Sequence, residues 1–211
     1  MYDFIADLDE YFCEAYANYD RLCGLQGYRM PTMQATKIDD FGRTVAYTLP
    51  ANTMRLALQE NKAELLKALK TTLVDKTFSF SFRPYGFFEG IKERFSKYAF
   101  YKHLKLILAK HNLSVETVGE NLTITSEIWT KIYKGRFEPT KNLIFSLALA
   151  EHFTFEETKA LLYTCGFDFD YAIEKDVVIS YLLTHNVYNQ DMIDKALEEY
   201  KISNLFLNRE K

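Results

Sequence analysis

The stretch Ile124-Thr125-Ser126-Glu127-Ile128-Trp129-Thr130-Lys131-Ile132-Tyr133-Lys134-Gly135-Arg136-Phe137-Glu138-Pro139-Thr140 decides how this chain is read. Thr125 stands at an N-cap position before a short helix, Ser126 to Lys134, and Gly135 stops that helix. Pro139-Thr140 opens the next helix. There Leu143, Ile144, Phe145, Leu147, Ala148 and Leu149 are apolar nearly all round, so the spacing predicts a helix at the centre of a bundle.

Helical signals continue on both sides of this stretch. Tyr98 to His111 carries Leu104, Leu106, Ile107 and Leu108, and Ser114 starts a short helix from Val115 to about Glu120. Thr154-x-x-Glu157 is a capping box for a helix ending at Gly166. Two more helices are expected. One is capped by Asp170 and carries Ile173, Val177, Val178, Tyr181 and Leu182; the other is capped by Asn189 and carries Met192, Ile193, Ala196, Leu197 and Tyr200.

The first 83 residues have a different rhythm. Residues 3–23 read as an amphipathic helix capped by Asp3, with Ile5, Leu8, Phe12, Ala15, Tyr16, Tyr19 and Leu22 at helical spacing and Gly24 and Gly27 beyond. Met33 to Thr36 and Thr44 to Leu49 flank Asp39-Asp40-Phe41-Gly42 as a hairpin. Residues 53–74 form a second helix, and Thr77 to Phe82 alternates strictly, as a strand does. The expected fold class is therefore α+β. A small α-β-β-α-β unit (1–83) and a connector (84–96) precede an all-α part (97–205) with two extra C-terminal helices.

Residues 100–166 resemble the phage-repressor-like (Xre-type) helix-turn-helix domain. The likeness rests on Leu104-x-x-Ile107-Leu108, on the stretch quoted above with its Gly135…Pro139-Thr140 spacing, and on the Leu/Ala-rich helix leading to Thr154–Glu157. Residues 167–205 are similar to the two-helix tail of related domains in Gram-positive bacteria. The resemblance implies a regulator of bacterial or mobile-element origin that binds duplex DNA. Its third helix would enter the major groove, with Ser126, Glu127, Ile128, Thr130 and Lys131 facing base edges. Trp129 and Ile132 would point into the core. Lys134, Arg136 and Lys141 would lie near phosphates, with Lys97, Lys102, Lys105 and Lys110 adding positive charge.

Several residues depart from that pattern. The second helix ends in Glu120-Asn121-Leu122-Thr123 rather than a glycine turn, and Gly119 lies inside it. It also lacks the family's usual early Gln. Glu127 brings a carboxylate to the face, which suits DNA only if it accepts from a cytosine amino group. Ile128 and Tyr133 are apolar and suit a protein groove equally well. A second expectation therefore stands beside the first: a protein-binding adaptor or inhibitor, of antitoxin or anti-defence type, that uses the fold as a scaffold.

Charge distribution also separates the segments. The 211-residue chain has net charge −3, with −2 in residues 1–82, +5 in 83–141 and −6 in 142–211. A basic middle suggests an anionic partner there, although a solvated face has the same composition. No apolar run is long enough for a membrane span, and the N-terminus is acidic from Asp3, so a cytoplasmic protein is expected. The three cysteines (Cys13, Cys23, Cys165) form no C-x-x-C pair, and His103, His111, His152 and His185 lack metal-ligand spacing. Glycine-rich phosphate loops and nucleophile elbows are absent from the sequence. Asp39-Asp40 and Asp168-x-Asp170 fit turns and caps better than catalytic dyads. No enzyme, cofactor or metal is expected. The N-terminal unit is expected to pack or to pair chains as a homodimer, for which the Phe78–Phe82 strand offers an edge, with a sensor or partner-binding role as the alternative.

Overall fold

A computed structural model describes residues 3–17, 34–39, 42–48, 62–77, 81–85 and 91–208. Among them the fold is mixed and mostly helical, with nine helices and a two-stranded antiparallel sheet. The helices are α1 (Phe4–Ala15), α2 (Lys62–Thr72), α3 (Ile91–Lys110), α4 (Val115–Glu120), α5 (Ser126–Tyr133), α6 (Lys141–Ala150), α7 (Phe155–Thr164), α8 (Glu174–Thr184) and α9 (Gln190–Glu199). Strands β1 (Gln34–Ile38) and β2 (Thr44–Thr48) form the hairpin, with Ile38 opposite Thr44. None of these helices is long and apolar enough to cross a membrane.

Side-chain caps set most helix starts. Asp3, Ser114, Thr125, Thr140 and Asn189 accept bonds from backbone N–H groups two or three residues on. Thr154 and Glu157 close both halves of the capping box. Gly135 (φ 61°) and Gly166 (φ 75°) take the left-handed conformation that ends α5 and α7 at little steric cost. Asp170 departs from expectation. Its carboxylate accepts from the Ala172 N–H at 2.9 Å, so it braces the turn before α8, which begins only at Glu174 with Ile173 as an N-cap lacking any side-chain bond.

Helix α6 is the axis of the core, because every residue from Asn142 to Leu149 is buried. Helix α8 is the second buried rod, with Lys175 to Leu183 inside. Helix α1 packs on α8 and α9 rather than standing apart. Phe12 lies 4.7 Å from the Tyr200 ring, Tyr181 Oη donates to Asp7 at 2.5 Å, and Tyr200 Oη donates to Asp9 at 2.8 Å. Lys70 of α2 bonds Asp9 and Glu199, each at 2.7 Å. One apolar core thus runs from α1 through α6 to α9.

Two further differences concern boundaries. The connector is not loop throughout, since α3 begins at Ile91 rather than at Tyr98. Of the second expected helix (53–74), the described part is helical over Lys62–Thr72 and ends there, short of residue 74. Residues 18–33, 49–61, 78–80 and 86–90 lie outside the described residues. With them go residues 78–80, half of the expected 77–82 strand, as well as Cys23, Gly24 and Gly27, while the described Thr77, Ser81 and Phe82 are not in a strand.

A candidate recognition face on α4 and α5

Helices α4 and α5 meet across the turn Asn121–Thr125, and a glycine and a tryptophan set how closely they approach. A Cβ placed on Gly119 would lie 2.5 Å from Trp129 Cδ1, so only glycine admits the indole there. Trp129 Nε1 donates to the Val115 carbonyl at 2.8 Å, which satisfies the one polar atom of a ring only 4% exposed. Gly119 is therefore a packing notch rather than a displaced turn glycine. Trp129 and Ile132 are both buried.

The expected contact residues do not share one environment. Ser126, Glu127 and Thr130 are exposed on α5, as are Lys134 and Arg136 just beyond it. Ile128 is half-buried against the core, so it does not stand free as a reader. Lys131 bonds Glu127 one turn back at 2.6 Å and lies 5.5 Å from the Phe137 ring centroid. That bond holds the Glu127 carboxyl below its ordinary pKa. Lys141 turns inward and pairs with Asp176, whose side chain is 2% exposed, so its ammonium is not offered to a phosphate. Burial pushes the Asp176 carboxyl up, against the Asp170 N–H and Lys141. Of the four expected cations, Lys134 and Arg136 are thus the two without an ion pair among the described residues.

The surface between α4 and α5 is a groove of about 760 Å³. Leu122, Ile124, Trp129 and Tyr133 supply its apolar part, Glu116 and Glu120 its α4 side, and Lys134 also lines it. Glu116 and Glu120 are one helical turn apart, exposed, and without a cation partner among the described residues. The Tyr133 and Tyr101 rings lie 5.0 Å apart, tilted by 59°. Burial, then the bond to Tyr101, pushes its phenol up to about 12, and Glu116 adds to the effect. The two glutamates were not among the expected site residues, although their i, i+4 spacing on a capped helix was available to reveal a shared face.

The loops on either side of α5 are clamped by distant chain. Before it, Thr123 N–H donates to Phe206 O at 2.8 Å and Asn208 N–H to Asn121 O at 3.2 Å, with Leu122 bridged to Leu207. After it, Tyr85 N–H donates to Arg136 O at 2.9 Å and Glu138 N–H to Arg83 O at 2.8 Å, with Pro84 bridged to Phe137.

Among the described residues, no group of three or more His, Cys, Asp or Glu side chains is placed to hold a metal ion. Cys165 is pushed up to about 11 by burial, so it is a poor nucleophile. No protein-family model matches the chain, and neither a curated protein nor a solved structure matches it.

Proposed function

We propose that α3 to α7 form an Xre-like helix-turn-helix scaffold whose α4–α5 groove docks a basic, partly apolar segment of a partner protein, making the chain a non-catalytic adaptor or inhibitor. The observation that carries this reading is the pair Glu116 and Glu120, exposed on the groove wall beside an aromatic floor and without an ion pair among the described residues. A lysine or arginine from a partner relieves that like-charge pair, and its alkyl stem covers Tyr133, whose ring lies 6.4 Å from the buried Trp129 ring. Duplex DNA is the occupant that the sequence resemblance implies, and the charge balance of this face argues against it. Glu116, Glu120 and Glu127 stand against Lys131, Lys134 and Arg136, with Lys131 already held by Glu127. Contact to phosphates needs net positive charge, and two or three free cations give only a shallow salt slope of about −2 to −3.

The chain holds a single tryptophan, Trp129, and it lines the groove. Its fluorescence therefore reports on occupancy. Titration of the full chain with a synthetic peptide of alternating Leu and Arg should shift that emission and saturate. The Glu-for-Arg peptide and a mixed-sequence duplex should not. Saturation by the duplex, with affinity falling linearly in log salt and lost in Lys134→Ala with Arg136→Ala, supports the DNA reading instead.

A further inference from the structure

Lys175 is a buried charge that the groove does not use. Its side chain is 4% exposed and pairs with Asp75, itself 5% exposed, at 2.7 Å. The ammonium also donates to Thr77 Oγ1 at 2.6 Å, Ser203 O at 2.9 Å and, more weakly, Asn142 Oδ1 at 3.3 Å. Asp75 is occupied as well. It accepts from Thr77 Oγ1 at 2.6 Å and from the Ser203 N–H at 2.9 Å.

Of these partners, Ser203 belongs to one of the two segments that clamp α5, and Asp75 and Thr77 precede the other in the chain. Asp75 and Thr77 lead into 81–85, which pairs with the loop after α5; Ser203 opens 203–208, which pairs with the turn before it. The two segments also touch directly. Asn204 Nδ2 donates to Thr77 O at 2.5 Å, and the Phe82 and Phe206 rings lie 5.3 Å apart. The Phe206 N–H donates to buried Ser146 Oγ at 2.8 Å, whose own proton goes to Asn142 O at 2.7 Å, back beside Lys175. A polar network centred on one ammonium thus joins 75–77, α6 and the 203–208 segment, and the Phe82–Phe206 ring contact extends it to 81–85.

We infer that Lys175 is a positioning residue for the α4–α5 face, fixing α5 at both ends through the 81–85 and 203–208 segments. This goes beyond the proposed docking and holds whatever the face binds. A lysine serving only general stability protects every helix alike when present. A positioning lysine protects the clamps selectively, because it bonds Ser203 at the root of one clamp segment.

Amide hydrogen exchange on the full chain distinguishes the two. In Lys175→Met, the amides of Thr123, Asn208, Tyr85 and Glu138 are expected to exchange roughly tenfold faster or more, while Thr158 and Phe167 at the two ends of α7 change less than about twofold. Unchanged exchange at the four clamp amides, or equal acceleration across α7, overturns the inference. Should Lys175→Met fail to fold, Asp75→Leu with Lys175→Met carries the same test. It removes the ammonium and its bonds without stranding the Asp75 carboxylate. Faster exchange at the clamp amides alone supports the inference, and an unchanged or uniform profile overturns it.

Discussion

Two charged regions of this protein put the same side-chain types to opposite use. Around the start of α8, Lys175, Asp75, Lys141 and Asp176 are buried or nearly so, and each is paired. On α4 and α5, Glu116, Glu120, Lys134 and Arg136 are exposed and without ion pairs among the described residues. Buried charges must be compensated inside the fold, because desolvation makes an isolated one prohibitive. Exposed charges are held by water and remain available to a partner. The buried region therefore shapes the molecule, and the open one is where recognition is sought.

Breaking the buried region should give the largest effect. Lys175→Met leaves the Asp75 carboxylate without its counter-ion and is expected to lower unfolding free energy by about 3–5 kcal/mol in urea denaturation. Replacing both partners, Asp75→Leu with Lys175→Met, should recover most of that loss, since an apolar pair strands no charge. A double mutant as unstable as the single would show that the pair does not act as a unit.

The next effect falls between the two regions, where the groove meets the core. Gly119→Ala improves helix propensity by about 1 kcal/mol but drives a methyl into the Trp129 ring, so a net loss of roughly 1–2 kcal/mol is expected, with a shifted Trp129 emission maximum. A stabilised variant with unchanged emission would mean that the indole moves freely aside.

A smaller effect belongs to the capping box. Burial alone would raise Glu157, but Lys110, the Thr154 N–H and His111 overcome it and hold its carboxyl at about 2. A depressed folded pKa stabilises at pH values above the unfolded carboxyl and is lost as pH falls toward 2. Thermal melts should therefore show wild type losing stability between about pH 4.5 and 2, and Glu157→Gln should flatten that fall while costing about 1 kcal/mol at neutral pH. Parallel pH profiles for the two proteins would contradict this.

The smallest stability effect should come from the open region. Glu116→Gln with Glu120→Gln removes a like-charge pair and should change unfolding free energy by no more than about 0.5 kcal/mol. A larger change would mean that these carboxylates serve the fold rather than a partner.

The sequence made local structure legible and long-range structure obscure. Ser114, Thr125, Thr154 and Asn189 announce their helices because a cap bonds within three residues. The buried run Asn142–Leu149 shows in its unbroken apolarity, and the hairpin in Asp39-Asp40-Phe41-Gly42 between β-prone residues. Asp170 misled because an aspartate that braces a turn looks the same in sequence as one that caps a helix. Lys141 read as a surface cation because its partner, Asp176, lies on another helix. The Lys175–Asp75 pair and both clamps join segments far apart in the chain, and such pairings leave no periodic signal. Of the site itself, the outward α5 and its buried Trp129 are legible in the sequence, whereas the carboxylate wall of α4 is not, because two solvated glutamates look the same in sequence on a bare helix face as on a groove wall.

The most direct test is a charge reversal on that wall. Glu116→Lys with Glu120→Lys should abolish the Trp129 response to the Leu/Arg peptide and create one to the mixed-sequence duplex, since the face then gains net positive charge. If wild type already responds to the duplex and the reversal leaves the peptide response intact, the α4–α5 groove does not recognise basic protein segments.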